Sequence, residues 1–396
     1  MIYLDHAATA SPKAPGVADA ITRHLAEIAN PGRGGHRWAT ATERMIDDTR
    51  LALARLMHVD DHRRLAFTLN ATDALNMAMR GTLDASVTPA GIDTPHVVTT
   101  VLEHNSISRP LMDLRDRGQI TLTQVGCDDD GILRVEDIVA ALQPETTLVA
   151  FLHVSNALGT IQPAAAIAGA VAERSDALVL LDASQSIGVL PVDVEALGAD
   201  FIAFPGHKGL LGPTGTGALY VGPRVIADPG HVVDARIEPW RHGGTGGDST
   251  FPVQPRELPH YLEGGTPNTV GLAGLRAGLE YVLGATVESI HAHEMELIAR
   301  LLRGLEAIEG VRVIGPRDVD RRIGAVSMVF DGHDPADVGG ILDTTFGIAV
   351  RPGLHCAPYA HEAMGTFPAG TLRTSVGPFT TDADIDALLD ALRRCL

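Results

Sequence analysis

The sequence has little cysteine, little aromatic content and too few positive charges to balance its negative ones. Cys127, Cys356 and Cys395 are the only thiols in 396 residues. They form neither a Cys-x-x-Cys pair nor a disulfide framework, which excludes a disulfide-stapled scaffold. Lysine and arginine number 31 against 49 aspartates and glutamates, a formal charge of −18. Nucleic-acid binding draws its affinity from clustered basic residues, and no basic run is present, so DNA and RNA are not expected partners. The apolar runs are short and interrupted, below the ~20 residues a membrane helix needs. The opening residues MIYLDHAATA lack the basic-then-apolar pattern of a signal segment. These absences predict a cytoplasmic protein with no membrane contact.

What is present is an ordinary globular composition, 45% hydrophobic and 20% charged, with 42 glycines and 24 prolines. Between about residues 40 and 220, short apolar runs alternate with longer amphipathic stretches, the pattern of βα units that build a mostly parallel sheet. Strands are expected at 65–68, 96–101, 119–125, 147–154, 177–182, 200–204 and 217–221, and covering helices at 38–57 and 71–83. After the glycine-rich stretch 243–247 the pattern changes to helices near 270–283 and 287–308. Strands at 311–314, 325–330 and 347–351 and a last helix over 381–394 follow. The expected class is α/β, a large domain with a mostly parallel sheet covered by helices plus a smaller α+β C-terminal domain.

Several polar residues stand just after expected strands, where open α/β sheets bind ligands. Asp182 ends the apolar run 177–182, and Lys208 follows the strand 200–204 in Pro205-Gly206-His207-Lys208. An acid and a lysine so placed suit pyridoxal phosphate, which needs an amine for its Schiff base and an acidic partner for its ring nitrogen. Taken singly, Asp182 is as well explained as a helix cap and Lys208 as a surface lysine. His104 follows the strand 96–101 and can stack on a ring or fill the core; Asn156 can face a ligand or make a turn. Asn70-Ala71-Thr72-Asp73 opens a helix whose N–H groups and Thr72 hydroxyl can receive a phosphate, or forms a plain N-cap. Cys356 lies between Arg351, His355 and Pro358, and nearby cations favour the thiolate that acts as nucleophile. Alone it reads as a small buried hydrophobe.

Together these residues make the chain resemble the class V aminotransferase-fold enzymes, closest to the cysteine desulfurase and selenocysteine lyase group. The likeness runs from Tyr3-Leu4-Asp5-His6-Ala7-Ala8-Thr9 through the stretches HVSNALGT, GHKGLLGPTGTG and LEGGTPNT to RPGLHC and Leu372-Arg373-Thr374-Ser375. The cysteine loop is similar to the Arg-x-Gly-x-His-Cys pattern of the SUF-type branch. The resemblance implies fold type I of the pyridoxal phosphate enzymes, a large domain over 16–265, and a small domain from 1–15 and 266–396. It implies a homodimer acting on L-cysteine, or on L-selenocysteine, with a protein acceptor for the sulfur, as in iron–sulfur cluster assembly.

It also implies roles. Lys208 matches the Schiff-base lysine. Asp182 would hold the ring nitrogen, Gln185 and Asn156 would lie near the ring hydroxyl, and His104 would stack on the ring. Ala71, Thr72 and His207 would contact the phosphate, and Thr266 would reach the phosphate of a neighbouring subunit. Arg373 would receive the substrate carboxylate, with Arg351 beside it, and Cys356 would accept the sulfur. The pattern departs at Pro205, where a hydroxyl residue is usual, and at Asn70, Ser184, Pro352 and Leu354.

Overall fold

The structure, a computed structural model, describes residues 1–27, 29–32, 35–88, 91–245 and 252–396. Gly246 and Gly247 of the glycine-rich stretch lie outside these. After a short first strand, β1 (Ile2–Tyr3), the chain builds a seven-stranded sheet. Its strands are β2 (Leu65–Thr68), β3 (His96–Thr100), β4 (Thr121–Val125), β5 (Thr146–Leu152), β6 (Leu178–Asp182), β7 (Phe201–Pro205) and β8 (Gly217–Val221). The order is β2-β8-β7-β6-β5-β3-β4. Only β8 runs antiparallel to its neighbours. Strands β5 to β8 are buried along their whole length, which is why they read as unbroken apolar runs: helices cover both faces of a parallel sheet. Edge strand β4 keeps exposed and half-exposed threonines. Strand β5 stops at Leu152, short of the expected 154, because Val154 turns to bridge Ile161.

The second sheet is antiparallel, with β9 (Val311–Ile314), β10 (Ala325–Phe330), β12 (Arg351–Gly353) and β13 (Thr371–Ser375) in the order β12-β13-β10-β9. The expected strand 347–351 is two pieces: β11 (Ile348–Ala349) pairs with β1, and β12 pairs with β13. The first residues are thereby stitched to the C-terminal unit, and Asp5 bridges Ser375. The helices Val287–Glu306 and Asp382–Cys395 close that unit's core, the latter opened by a Thr381/Asp384 capping box.

The helix Thr269–Ala285 begins just after the expected boundary at 266. It packs on the helices Val17–Glu27 and Arg37–Leu56 and puts Leu272, Leu275 and Leu279 into the core beneath the large sheet. Thr286, with a φ of 66°, turns the chain between this helix and the next.

Beneath β2, Arg50 (3% exposed side chain) forks onto Glu263 with contacts of 2.8 and 3.2 Å, and Glu263 Oε1 also accepts from the Phe67 N–H at 2.6 Å. Arg50→Met leaves that half-buried carboxylate without its cation. The expected cost is about 1–3 kcal/mol of stability, read as a lowered urea midpoint.

Candidate active site

The carboxyl ends of β2, β3, β5, β6 and β7 all open on one cavity of about 200 Å³, and the smaller unit closes it with Arg351, His355 and Arg373. Ala71, Thr72, His104, Asn156, Asp182, Gln185, His207 and Lys208, spread over 138 positions of sequence, all line it. Each stands where a strand has just ended, so the sheet fixes the backbone while the side chain is free to face the opening.

Lys208 faces the cavity and is otherwise enclosed by protein. That enclosure pushes its amine down to about 8; Arg373 and Arg351 push the same way, and Asp182 opposes them. The 5%-exposed Asp182 carboxylate accepts the Ser184 N–H at 2.9 Å, so it steadies its own turn while facing the cavity. His104 caps the helix Asn105–Asp116 through the Ser106 N–H at 3.0 Å. Its Nδ1 lies 2.8 Å from Ser106 Oγ, which is 2.7 Å from Thr72 Oγ1, a relay of hydroxyls joining ring to helix start. Burial chiefly keeps His104 below the usual histidine range, against the pull of Asp182. His207 is pushed down to about 4, mainly by burial and further by Lys208 and Lys13, and its Nδ1 meets Thr9 Oγ1 at 3.0 Å.

Asn156 donates its amide N–H to the His355 carbonyl at 2.6 Å, and its Oδ1 is buried with no partner. A buried amide oxygen left unpaired costs free energy unless a ligand pairs it. Gln185 is held by the Ala7 carbonyl at 2.9 Å. Arg373, 1% exposed, gives one N–H to the Asn156 carbonyl and another to Asp5 Oδ1, both at 2.7 Å.

Cys356 sits at the turn after β12. Arg351 Nη2 donates to its Sγ at 3.6 Å. His355 supplies no charge, contrary to the expectation drawn from its neighbourhood. It is 3% exposed, its Nε2 pairs with Thr371 Oγ1 at 3.0 Å, and burial together with Arg373 pushes it down to about 2, so it stays neutral. His355 and Cys356 both have left-handed backbone, at φ 49° and 59°. Two adjacent non-glycine residues in that region store strain that is commonly kept at working sites. Burial raises Cys127 to about 11 and lifts Cys395 as well, so both remain thiols at neutral pH.

Thr266 is not brought to this cavity. It is exposed and lines a separate cavity of about 680 Å³ beside Arg241, Gly265 and Asn268. Two contributors were missed in the sequence: Asp5, which fixes Arg373, and Ser106, which links His104 to Thr72. The run around Asp5 was visible, but its partner lies 368 residues away. Pro205 lines the cavity and brings no hydroxyl.

The family profile described as Aminotransferase class-V matches residues 2–388. A probable cysteine desulfurase of Halalkalibacterium halodurans is 34% identical over 100% of this chain and 93% of its own length. One from Streptomyces coelicolor is 35% identical over 99% and 91%. Among solved structures, the apo cysteine desulfurase of Thermococcus onnurineus NA1 superposes with a TM-score of 0.89 at 31% identity, covering 100% of this chain and 94% of that one. The S-sulfonic acid form of a cysteine desulfurase from Escherichia coli gives 0.85 at 25% identity over 99% and 94%. The chain belongs to the class V aminotransferase family, among relatives that are cysteine desulfurases.

Proposed function

We propose that this protein is a pyridoxal phosphate-dependent cysteine desulfurase that converts L-cysteine to L-alanine and takes the sulfur onto Cys356 as a persulfide. The carrying observation is that Lys208 lines a cavity whose closing wall includes Arg351, and Arg351 also donates to the Cys356 sulfur. Family membership and the named relatives support the same reading.

The residues fit the cofactor. Asn156 Oδ1 is an unpaired buried acceptor facing the cavity, Asp182 offers an anion, and Lys208 an amine freed from full protonation. Thr72 and the start of the 12-residue helix Ala71–Thr82 offer a phosphate seat. When bound, pyridoxal phosphate supplies a sink for negative charge at the substrate Cα.

Lys208 Nζ takes the Cα proton, for which an amine near pH 8 is well poised. Arg373 receives the substrate carboxylate, its plane fixed by Asp5 and the Asn156 carbonyl. The Cys356 thiolate, beside the Arg351 cation, attacks the substrate sulfur. An S–S bond forms, the carbon–sulfur bond breaks, and its electron pair leaves with the carbon fragment, which takes up a proton at Cβ and regains one at Cα from Lys208 to become alanine.

The reading includes a homodimer, supported by the exposed position of Thr266 away from its own chain's cavity, and a protein acceptor for the persulfide. It also includes a cytoplasmic setting, supported by three unpaired thiols. Among the described residues no single helix is long and apolar enough to cross a membrane.

The test is mass spectrometry of the holoenzyme after L-cysteine. One added sulfur is expected on the peptide carrying Cys356. A mass gain confined to Cys127 or Cys395 would overturn the assignment.

A further inference from the structure

A second cavity, of about 40 Å³, lies behind Lys208. Ala7, Ser184, Gln185 and Lys208 line both this cavity and the larger one, so they form the wall between the two. On the far side stand Glu294 and His6, 4% and 8% exposed. Glu294 makes no hydrogen bond or ion pair with any described residue, and His6 Nδ1 is buried with no partner. Two glycines make room for them. A Cβ on Gly324 would stand 2.8 Å from Glu294 Oε2, and one on Gly377 would collide with His6 Nδ1.

Space has thus been opened for a carboxyl that the protein leaves unpaired and an imidazole with one unpaired nitrogen, an expensive arrangement unless small polar molecules pair them. One water needs roughly 10–15 Å³ of such space and two or more polar partners, so this chamber has room for about three. Glu294, His6 and the Ser375 hydroxyl provide the partners.

We propose that this chamber is a hydrated proton relay for Lys208, in which water links the Lys208 amine to Glu294 and His6. In one passage the Glu294 carboxyl gives its proton through water to the neutral Lys208 amine: an O–H bond breaks, an N–H bond forms, and the reverse step resets both groups. No electrons are exchanged. The inference rests on Lys208 acting as the base of the reaction.

The charges around the chamber suit this. Burial alone raises Glu294 to about 8, and enclosure lowers Lys208 to about 8, so both groups change protonation in the same pH range. His6 is pushed down to about 4 by burial, the Tyr3 carbonyl opposing and Lys13 adding, and so serves as an acceptor.

The test compares wild type with Glu294→Gln in three ways. The holoenzyme is given Cα-deuterated L-alanine, whose exchange needs Lys208 but no sulfur chemistry. Glu294→Gln is expected to lose deuterium at least about tenfold more slowly, with unchanged half-saturation by alanine; equal rates would overturn the relay.

A high-resolution crystal structure of the cofactor-free protein is expected to show water within hydrogen-bond distance of Glu294 and His6, and a dry chamber would overturn it. Urea unfolding of the cofactor-free proteins gives the third readout. Because the folded carboxyl holds its proton to about 8 and the unfolded one to about 4.5, wild type should lose stability relative to Glu294→Gln as pH rises between those values; parallel curves would count against a buried acid. Intact alanine exchange without cysteine turnover would instead remove the desulfurase reading and leave the relay standing.

Discussion

Lys208→Ala is expected to lower alanine production from L-cysteine by at least ~10³-fold, the scale of a lost positioned base, and to abolish the visible absorption that the cofactor acquires on the lysine. The chain offers no replacement. Its one other lysine, Lys13, is half-buried and held by the His207 carbonyl at 3.0 Å and Thr9 Oγ1 at 3.1 Å, outside the set of residues that line the cavity. Nor should the variant fail by unfolding. The folded-state value of Lys208 is about 8 against an ordinary 10.5, so enclosing it destabilises the native state fully below pH 8, and the penalty fades as pH rises to about 10.5. The alanine variant escapes that penalty. Activity assays paired with urea unfolding of the cofactor-free proteins across pH 7–10.5 check both halves, and a variant retaining more than a tenth of the wild-type rate would remove Lys208 from the chemistry.

The large sheet was legible because its central strands are buried on both faces: LVAFL, ALVLLD and FIAF admit no other reading in a chain with covering helices on either side. The residues after those strands were legible for the same reason, since a strand end fixes where the next side chain stands. Asp182, Lys208, His104 and Asn156 all reach one cavity on that logic. Boundaries were less legible. Helix Thr269–Ala285 is apolar almost all round, and its pattern did not say which core it would fill. The cysteine loop was least legible, because sequence adjacency of His355 to Cys356 suggested a charge, whereas the backbone turns His355 inward to Thr371 and leaves Arg351, five residues back, to face the sulfur. Partners far apart in sequence, such as Asp5 and Arg373, leave no local trace at all.

Cys356→Ala is expected to separate the two halves of the reaction. The variant keeps Lys208, Asp182 and Arg373, so it should bind the cofactor with the wild-type spectrum and exchange the Cα deuteron of L-alanine at the wild-type rate, because that exchange needs the base, its proton supply and the carboxylate clamp but no thiol. Alanine production from L-cysteine should fall by at least ~10²-fold, since no other thiol can stand in for the nucleophile. Of the three thiols, Cys356 is the one that a cavity-lining residue, Arg351, contacts, and burial keeps Cys127 and Cys395 protonated.

The fall should also be larger than that of Arg351→Met, which leaves the sulfur in place and removes only the cation at 3.6 Å. The loop's own geometry sharpens the comparison. Cys356 is held at φ 59°, with its carbonyl accepting the Asn105 N–H at 2.7 Å, next to His104 in the same wall. That anchor ties the position of the nucleophile to the helix that follows the cavity's histidine. Equal rates of alanine formation in Cys356→Ala and wild type would mean that sulfur leaves L-cysteine without an enzyme thiol, and the persulfide step would have to be abandoned.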